Sequence, residues 1–187
     1  DKMNELISIE QFPLSFDLYF RIAKIYDEAG AKDKAKKFAE LGAKLCEEII
    51  KRPNVAYDYK QFEIMGRQIG PYNVGSMLYE VIEDYDNASR ILNLLLEEVQ
   101  KYRGTDKDDR LASNYYSILR DLKRYEILGY NKKNGLQATE KYVEEKKNEL
   151  MKQPSQENMF YIRAFEETLQ EIKNKNNGSK LDTVNIG

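Results

Sequence analysis

Apolar and polar positions alternate with helical period most clearly over residues 14–50. Apolar or small residues recur there at steps of three and four, which is the spacing of one helix face. The later stripe consists of Ala35, Phe38, Ala39, Gly42, Leu45, Cys46 and Ile49. The earlier stripe is wider, suited to packing against two neighbours, and consists of Leu18, Tyr19, Ile22, Ala23, Ile25, Tyr26 and Ala29. The pattern predicts two amphipathic helices joined by a turn at Gly30.

The same arrangement of residues returns further along the chain, at an interval of 53 residues from Ala35 to Ala88. The second set is Tyr72, Gly75, Ser76, Tyr79, Ala88, Leu92 and Leu95, and it stands at the offsets of Tyr19, Ile22, Ala23, Tyr26, Ala35, Ala39 and Gly42. We therefore expect a second helical hairpin over residues 72–102, with Glu83 at the position that Gly30 holds in the first.

The remaining segments also favour helices. Residues 53–71 lie between prolines and carry enough apolar side chains for an additional helix packed on the first hairpin. Thr105 and Asp108 have the spacing of a capping box that starts a long helix. Turn signals at 131–135 and at Pro154 then separate that helix from two more, 136–151 and 156–172. The chain is predicted to be all-α, with one helical domain over residues 1–175 and a disordered tail over 176–187.

Composition narrows the classes of function. The net charge is −2, which gives no support to nucleic-acid binding, since that function favours a basic patch. Charged residues make up 33% of the chain, and no run of eighteen or more apolar residues offers a membrane span, so we expect no membrane insertion by this segment. Because the sequence starts at Asp1 rather than Met, we expect a processed or excised product, and a signal peptide or membrane anchor upstream stays open.

The residues that most often carry chemistry are missing. The chain has no histidine, which removes Ser-His-Asp and Cys-His catalysis and every zinc site that needs imidazole. Its one cysteine, Cys46, lies on an apolar stripe and is expected to be a buried structural thiol. The acidic cluster 106–109 lacks the glycine and glutamate of a calcium loop, and the adjacent acids Glu47 and Glu48 are expected to be solvated. We predict no enzyme, no cofactor and no metal site.

The first hairpin resembles a tetratricopeptide repeat. The residues at the positions of that family's pattern are Tyr19, Ile22, Ala23, Tyr26, Gly30, Ala35, Ala39, Gly42 and Glu47. Since the family's repeat is about 34 residues long, the interval seen here implies about 19 inserted residues between two units. The resemblance implies a short, irregular α-solenoid of about three helical hairpins with a C-terminal capping helix, which binds a protein or peptide partner.

The resemblance also implies where a partner binds, because the first helix of each unit lines a concave groove in that family. The groove positions in this chain are Phe20, Lys24, Asp27, Asn73, Met77 and Glu80, with an extension to Asn114 or Tyr115. Phe20 and Lys24 stand where the family's carboxylate clamp has Lys and Asn, so that clamp is not expected here. In the alternative interpretation, Phe20 and Met77 simply pack on segment 53–71.

A second resemblance covers roughly residues 10–130. The order of the first hairpin, a tyrosine-rich segment and the helix containing NYYSILRDL is similar to the soluble C-terminal portion of bacterial multi-spanning membrane proteins related to mannosyltransferases. It implies an alternative function, an accessory or regulatory domain of a membrane-bound glycosyltransferase. The cellular compartment stays open in both interpretations, since a single cysteine fits cytoplasm and periplasm alike.

Overall fold

A computed structural model describes residues 12–51, 70–100 and 108–182. Seven helices and no strand occupy these ranges, so the predicted all-α class is confirmed for the described part of the chain. The predicted helix over 53–71 lies almost entirely outside the described residues, as does the Thr105 end of the predicted capping box.

The chain divides into two compact units, Asp1–Arg103 and Gly104–Gly187, and each is described here by itself. The first unit contains α1 (Phe12–Glu28), α2 (Lys32–Ile50), α3 (Pro71–Val81) and α4 (Tyr85–Gln100). Each of these helices packs against the next, and α1 also contacts α3 directly. Two antiparallel hairpins therefore lie side by side, with their first helices in contact. The predicted single helical domain over 1–175 stays a prediction.

The two hairpins turn in the same way. After α1, the amide of Gly30 donates to the carbonyl of Asp27 (3.0 Å) and the amide of Ala31 donates to the carbonyl of Tyr26 (2.8 Å). After α3, Glu83 donates to Glu80 (2.9 Å) and Asp84 donates to Tyr79 (2.9 Å). Both pairs of bonds have the form of a Schellman motif, which needs a left-handed residue just past the helix. That residue is Gly30 (φ 72°) in one turn and Glu83 (φ 56°) in the other.

The core of the first unit depends on close approach between helices. The fully buried side chains include Ala23, Ala39, Cys46, Leu78 and Leu92. A Cβ atom placed on Gly42 of α2 would lie 2.7 Å from the Cβ atom of Tyr19 and 2.9 Å from a methyl group of Leu78. Glycine is therefore required where α2 meets both α1 and α3, because any side chain at that point would displace a neighbour.

The apolar stripe of α1 is only partly covered. Its Tyr19 and Ala23 are buried, as the sequence predicts, but Leu18 is 50% exposed and Ile25 is 63% exposed. The reason is that α2 and α3 both contact the side of α1 that carries Phe16 and Ala23, which belong to the core cluster. One edge of α1 thus remains an exposed apolar strip.

The second unit is a three-helix arrangement of α5 (Asp108–Asn134), α6 (Leu136–Met151) and α7 (Gln156–Asp182), in which every pair of helices is in contact. The bounds of α6 match the predicted ones. The predicted turn at 131–135 is shorter than expected, since α5 continues to Asn134 and Gly135 alone (φ 80°) reverses the chain. Helix α7 extends past residue 176, where the sequence places the start of the disordered tail, and residues 183–187 lie outside the described ranges.

Candidate partner-binding site

The predicted groove residues of the first unit form two equivalent stripes. Phe20, Lys24 and Asp27 recur on α1 at steps of four and three, and Asn73, Met77 and Glu80 recur on α3 at the same steps. Each residue of the second stripe stands at the offset of 53 that also relates the two turns. Because α1 and α3 are in contact, the structure brings the two stripes onto neighbouring helices.

The two apolar members of these stripes are half-buried. Phe20 packs against a core cluster drawn from α1, α2 and α3. Met77 lies on α3, where every residue is buried or half-buried. The apolar part of the candidate site is thus continuous with the core, so that truncation of Phe20 will affect folding as well as binding.

The charged members are engaged with neighbours along the chain. Lys24 lies 3.7 Å from Glu28, and Asp27 accepts a 2.6 Å ion pair from Lys32 at the start of α2. Such exposed pairs contribute about 0–1 kcal/mol each, because water screens them and two long side chains lose freedom. Each of the two pairs joins one positive and one negative side chain, so they add no net charge to this region.

Asn114 and Tyr115 belong to α5, in the second unit. The Tyr115 ring is half-buried and meets the ring of Tyr116 edge to face at a centroid distance of 5.5 Å. The side chain of Asn114 lies outside the described part of the chain. An extension of the groove to these residues stays a prediction.

A polar cluster that the sequence did not predict joins three helices of the first unit. One carboxylate oxygen of Glu47, on α2, accepts a hydrogen bond from the hydroxyl of Tyr79 on α3 and an ion pair from Arg90 on α4, both at 2.5 Å. Arg90 also donates to Asn87 (3.0 Å), and Asn87 donates in turn to Asp84 at the start of α4 (2.7 Å). Glu47 is therefore not the solvated acid that was expected, whereas its neighbour Glu48 is exposed.

The surroundings of this cluster shift the pKa values of Glu47 and Tyr79 in opposite directions. Burial alone would raise the pKa of Glu47, but the hydrogen bonds from Tyr79 and Arg90 outweigh it and hold that pKa below its usual value. Burial, together with the hydrogen bond to the Glu47 carboxylate, raises the pKa of Tyr79 to about 12. Both shifts favour an ionised Glu47 and a neutral Tyr79 near neutral pH.

No local signal in the sequence marks this cluster. Tyr79 and Arg90 are far from Glu47 along the chain and meet it only because α2, α3 and α4 pack in sequence. The one available hint is positional, since Glu47 stands where the tetratricopeptide pattern has its closing proline. The hydrogen-bond partners of a polar residue at that position can be identified only once the packing of the neighbouring helices is known.

The second unit has a cleft of about 550 Å³ where α5, α6 and α7 meet. Its apolar floor is formed by Leu150, Tyr161 and Phe165. The ammonium of Lys123 pairs with Glu126 at 2.9 Å and lies over the rings of Tyr161 (5.2 Å) and Phe165 (5.7 Å). Two of the charge pairs that line the cleft, Lys123 with Glu126 and Lys146 with Glu149 (3.2 Å), are thus formed within the protein.

The described residues include one thiol and several acidic side chains whose surroundings can be stated. The thiol of Cys46 is fully buried, and burial raises its pKa, so it is held in the unreactive protonated form. Within residues 12–51, 70–100 and 108–182, no three His, Cys, Asp or Glu side chains are grouped so that they could hold a metal ion. None of the helices in those ranges is long and apolar enough to cross a membrane.

Comparisons of this chain with family models, with curated proteins and with solved structures return no match.

Proposed function

We propose that this chain is a non-catalytic binding module for a protein or peptide, built from hairpins of tetratricopeptide type. The observation that carries the proposal is the internal equivalence of the two hairpins of the first unit. The Schellman turns, the buried alanines Ala35 and Ala88 and the two groove stripes all repeat at one offset. Paired hairpins whose first helices touch generate a ridged surface on which an extended or helical peptide can lie.

The remaining properties support a binding role over catalysis. The chain has no histidine, and its one thiol is buried and protonated. The groove stripes combine the apolar side chains of Phe20 and Met77 with the polar Asn73, a mixture typical of a small binding hot spot inside a polar rim. A solenoid of about three such hairpins closed by α7 is the architecture that we propose for the whole chain.

Peptide selection tests the proposed groove. A random peptide library would be panned on the full chain, and affinities of the selected peptides would be measured by fluorescence anisotropy. We expect Met77→Ala and Lys24→Glu to weaken binding by about tenfold or more. Arg163→Ala, an exposed change in the second unit, is the matched control and should leave the affinity unchanged. Selected peptides that bind all three variants equally would exclude α1 and α3 as the binding surface.

The alternative function, an accessory domain of a membrane-bound glycosyltransferase, stays a prediction. The sequence of the full-length polypeptide tests it directly. A multi-spanning segment upstream would favour that alternative, and it would also be compatible with peptide binding by this domain.

A further inference from the structure

Among the described residues of the first unit, the large apolar side chains that are exposed are Leu18 and Ile25 on α1 and Leu41 on α2. Leu18 and Ile25 are two helical turns apart on α1 and so lie on one face of it. Leu41 of α2 is 38% exposed. It is one turn beyond Phe38, whose ring stacks on Tyr26 of α1 at 5.5 Å, so the exposed strips of the two helices are adjacent.

Lysines border this apolar surface. Lys37 and Lys44 lie one turn to either side of Leu41, and Lys34 lies one turn before Lys37, with its ammonium 5.3 Å from the centre of the Tyr26 ring. All three are exposed, and Lys37 and Lys44 form no ion pair within the part of the chain that the structure describes. On the same helix the exposed Glu40 lies one turn from both Lys37 and Lys44 and pairs with Lys36 at 3.8 Å, whereas Asp33 and Glu48 stand beyond the two ends of the row.

We propose that this surface, formed by Leu18, Ile25 and Leu41 with Lys37 and Lys44, binds an acidic amphipathic helix of a protein partner. The apolar centre supplies the area that a helix buries with one face, as in helix-in-groove recognition. The unpaired ammonium groups select acidic flanks on that helix through charge complementarity. The surface lies on the opposite side of α1 from the groove stripe of Phe20 and Lys24, so the inference does not depend on the proposed groove.

The test uses the full chain and synthetic peptides of about four helical turns, with leucine on one face and glutamate elsewhere. A matched peptide carries lysine in place of glutamate. We expect the glutamate peptide to bind at least about tenfold more tightly than the lysine peptide. Its affinity should fall as the salt concentration is raised. Equal binding of the two peptides would overturn the proposed selection for acidic partners.

Variants separate the apolar and the charged contributions. The double variant Leu18→Gln, Ile25→Gln should lower the affinity for the glutamate peptide by about tenfold. The control variant Met151→Gln, Met159→Gln, which changes similarly exposed residues of the second unit, should leave that affinity unchanged. Lys37→Gln with Lys44→Gln should remove most of the preference for glutamate, while Lys36→Gln with Lys141→Gln, the control of equal charge, should retain it. Because all of these side chains are exposed, circular dichroism should show the same helix content throughout.

Two other occupants of the surface would contradict the proposal. Sedimentation equilibrium that shows a dimer of the wild type and a monomer of the Leu18→Gln, Ile25→Gln variant would assign the surface to a second copy of this chain. Binding to phosphatidylserine vesicles that needs Lys37 and Lys44, without binding of the glutamate peptide, would assign it to an anionic membrane surface instead.

Discussion

Gly30 and Glu83 adopt the same left-handed backbone conformation at equivalent points of two hairpins, with φ values of 72° and 56°. Glycine reaches this region without steric cost, whereas the Cβ atom of any other residue makes it unfavourable by about 1–2 kcal/mol. The second hairpin thus keeps the turn of the first at the expense of a strained glutamate. The hydrogen bonds of the turn and the packing of α3 on α4 hold Glu83 in place.

Replacement of Glu83 by glycine should stabilise the protein. We expect Glu83→Gly to raise the free energy of unfolding by about 1 kcal/mol relative to Glu83→Ala, since both lose the glutamate side chain but only glycine relieves the strain. Gly30→Ala should lower it by a similar amount. Urea unfolding followed by far-ultraviolet circular dichroism measures the difference. Equal midpoints for Glu83→Gly and Glu83→Ala would show that the turn carries no strain.

Gly42→Ala should destabilise the first unit by about 1–3 kcal/mol through overpacking. An alanine would otherwise favour a helix by about 1 kcal/mol, so a loss of stability would show that contact with Tyr19 and Leu78 decides the outcome. Thermal unfolding of Gly42→Ala measures the change, with exposed Lys44→Ala on the same helix as the control. A stabilised Gly42→Ala protein would mean that α1 and α3 can shift away from α2 at little energetic cost.

Glu47→Gln should destabilise the protein most at neutral pH. The expected loss is about 1.5–3 kcal/mol, the contribution of hydrogen bonds to a charged group. Because the folded state lowers the pKa of Glu47, its contribution is complete above the unfolded value of about 4.3 and is lost as pH falls through the folded pKa. The difference between wild type and variant should therefore shrink in acid.

Tyr79→Phe and Arg90→Gln complete the test of this cluster. A double-mutant cycle between Glu47→Gln and either change should give a coupling of about 1 kcal/mol or more, because the partners touch directly. Additive effects across both cycles would show that Glu47 acts independently of Tyr79 and Arg90.

Arg124→Lys should destabilise the second unit by about 1 kcal/mol. The guanidinium of Arg124 on α5 donates two 3.0 Å hydrogen bonds to the two carboxylate oxygens of Glu171 on α7, a geometry that lysine cannot reproduce. Chemical unfolding of Arg124→Lys measures the loss, with Lys141→Arg, an exposed exchange of the same two residue types on α6, as the control. An unchanged free energy of unfolding in Arg124→Lys would show that only the positive charge matters at this site.

The helices and the internal repeat could be predicted from the sequence because both are local signals. The period of Ala35, Ala39 and Cys46 defines α2 without any knowledge of its neighbours, and Gly135 marks the end of α5 through its own backbone freedom. The same reasoning predicted the equivalence of Gly30 and Glu83 in position. It could not predict that Glu83 would accept a positive φ, which depends on the strength of the surrounding packing.

Contacts between distant segments could not be predicted in this way. The periodicity of α2 alone predicts that Glu47 is an exposed acid. Its hydrogen-bond and ion-pair partners, Tyr79 and Arg90, belong to two later helices and cannot be identified from that periodicity. The exposure of Leu18 and Ile25 was missed for the opposite reason. An apolar stripe on α1 predicts packing, but which of its edges receives a neighbour depends on where α3 returns after residues 52–69.

The position of Cys46 makes the motion of the first unit measurable without any engineered label. Its side chain is fully buried between α2 and α3, and a Cβ atom on Gly75 would lie only 3.1 Å from its own Cβ atom. A thiol reagent can therefore reach it only when the two hairpins part, and since the chain contains one cysteine, each modification event reports that single opening. When the reagent reacts faster than the site closes, the rate of modification equals the rate at which the two hairpins separate, and a peptide bound in the proposed groove across α1 and α3 should lower that rate.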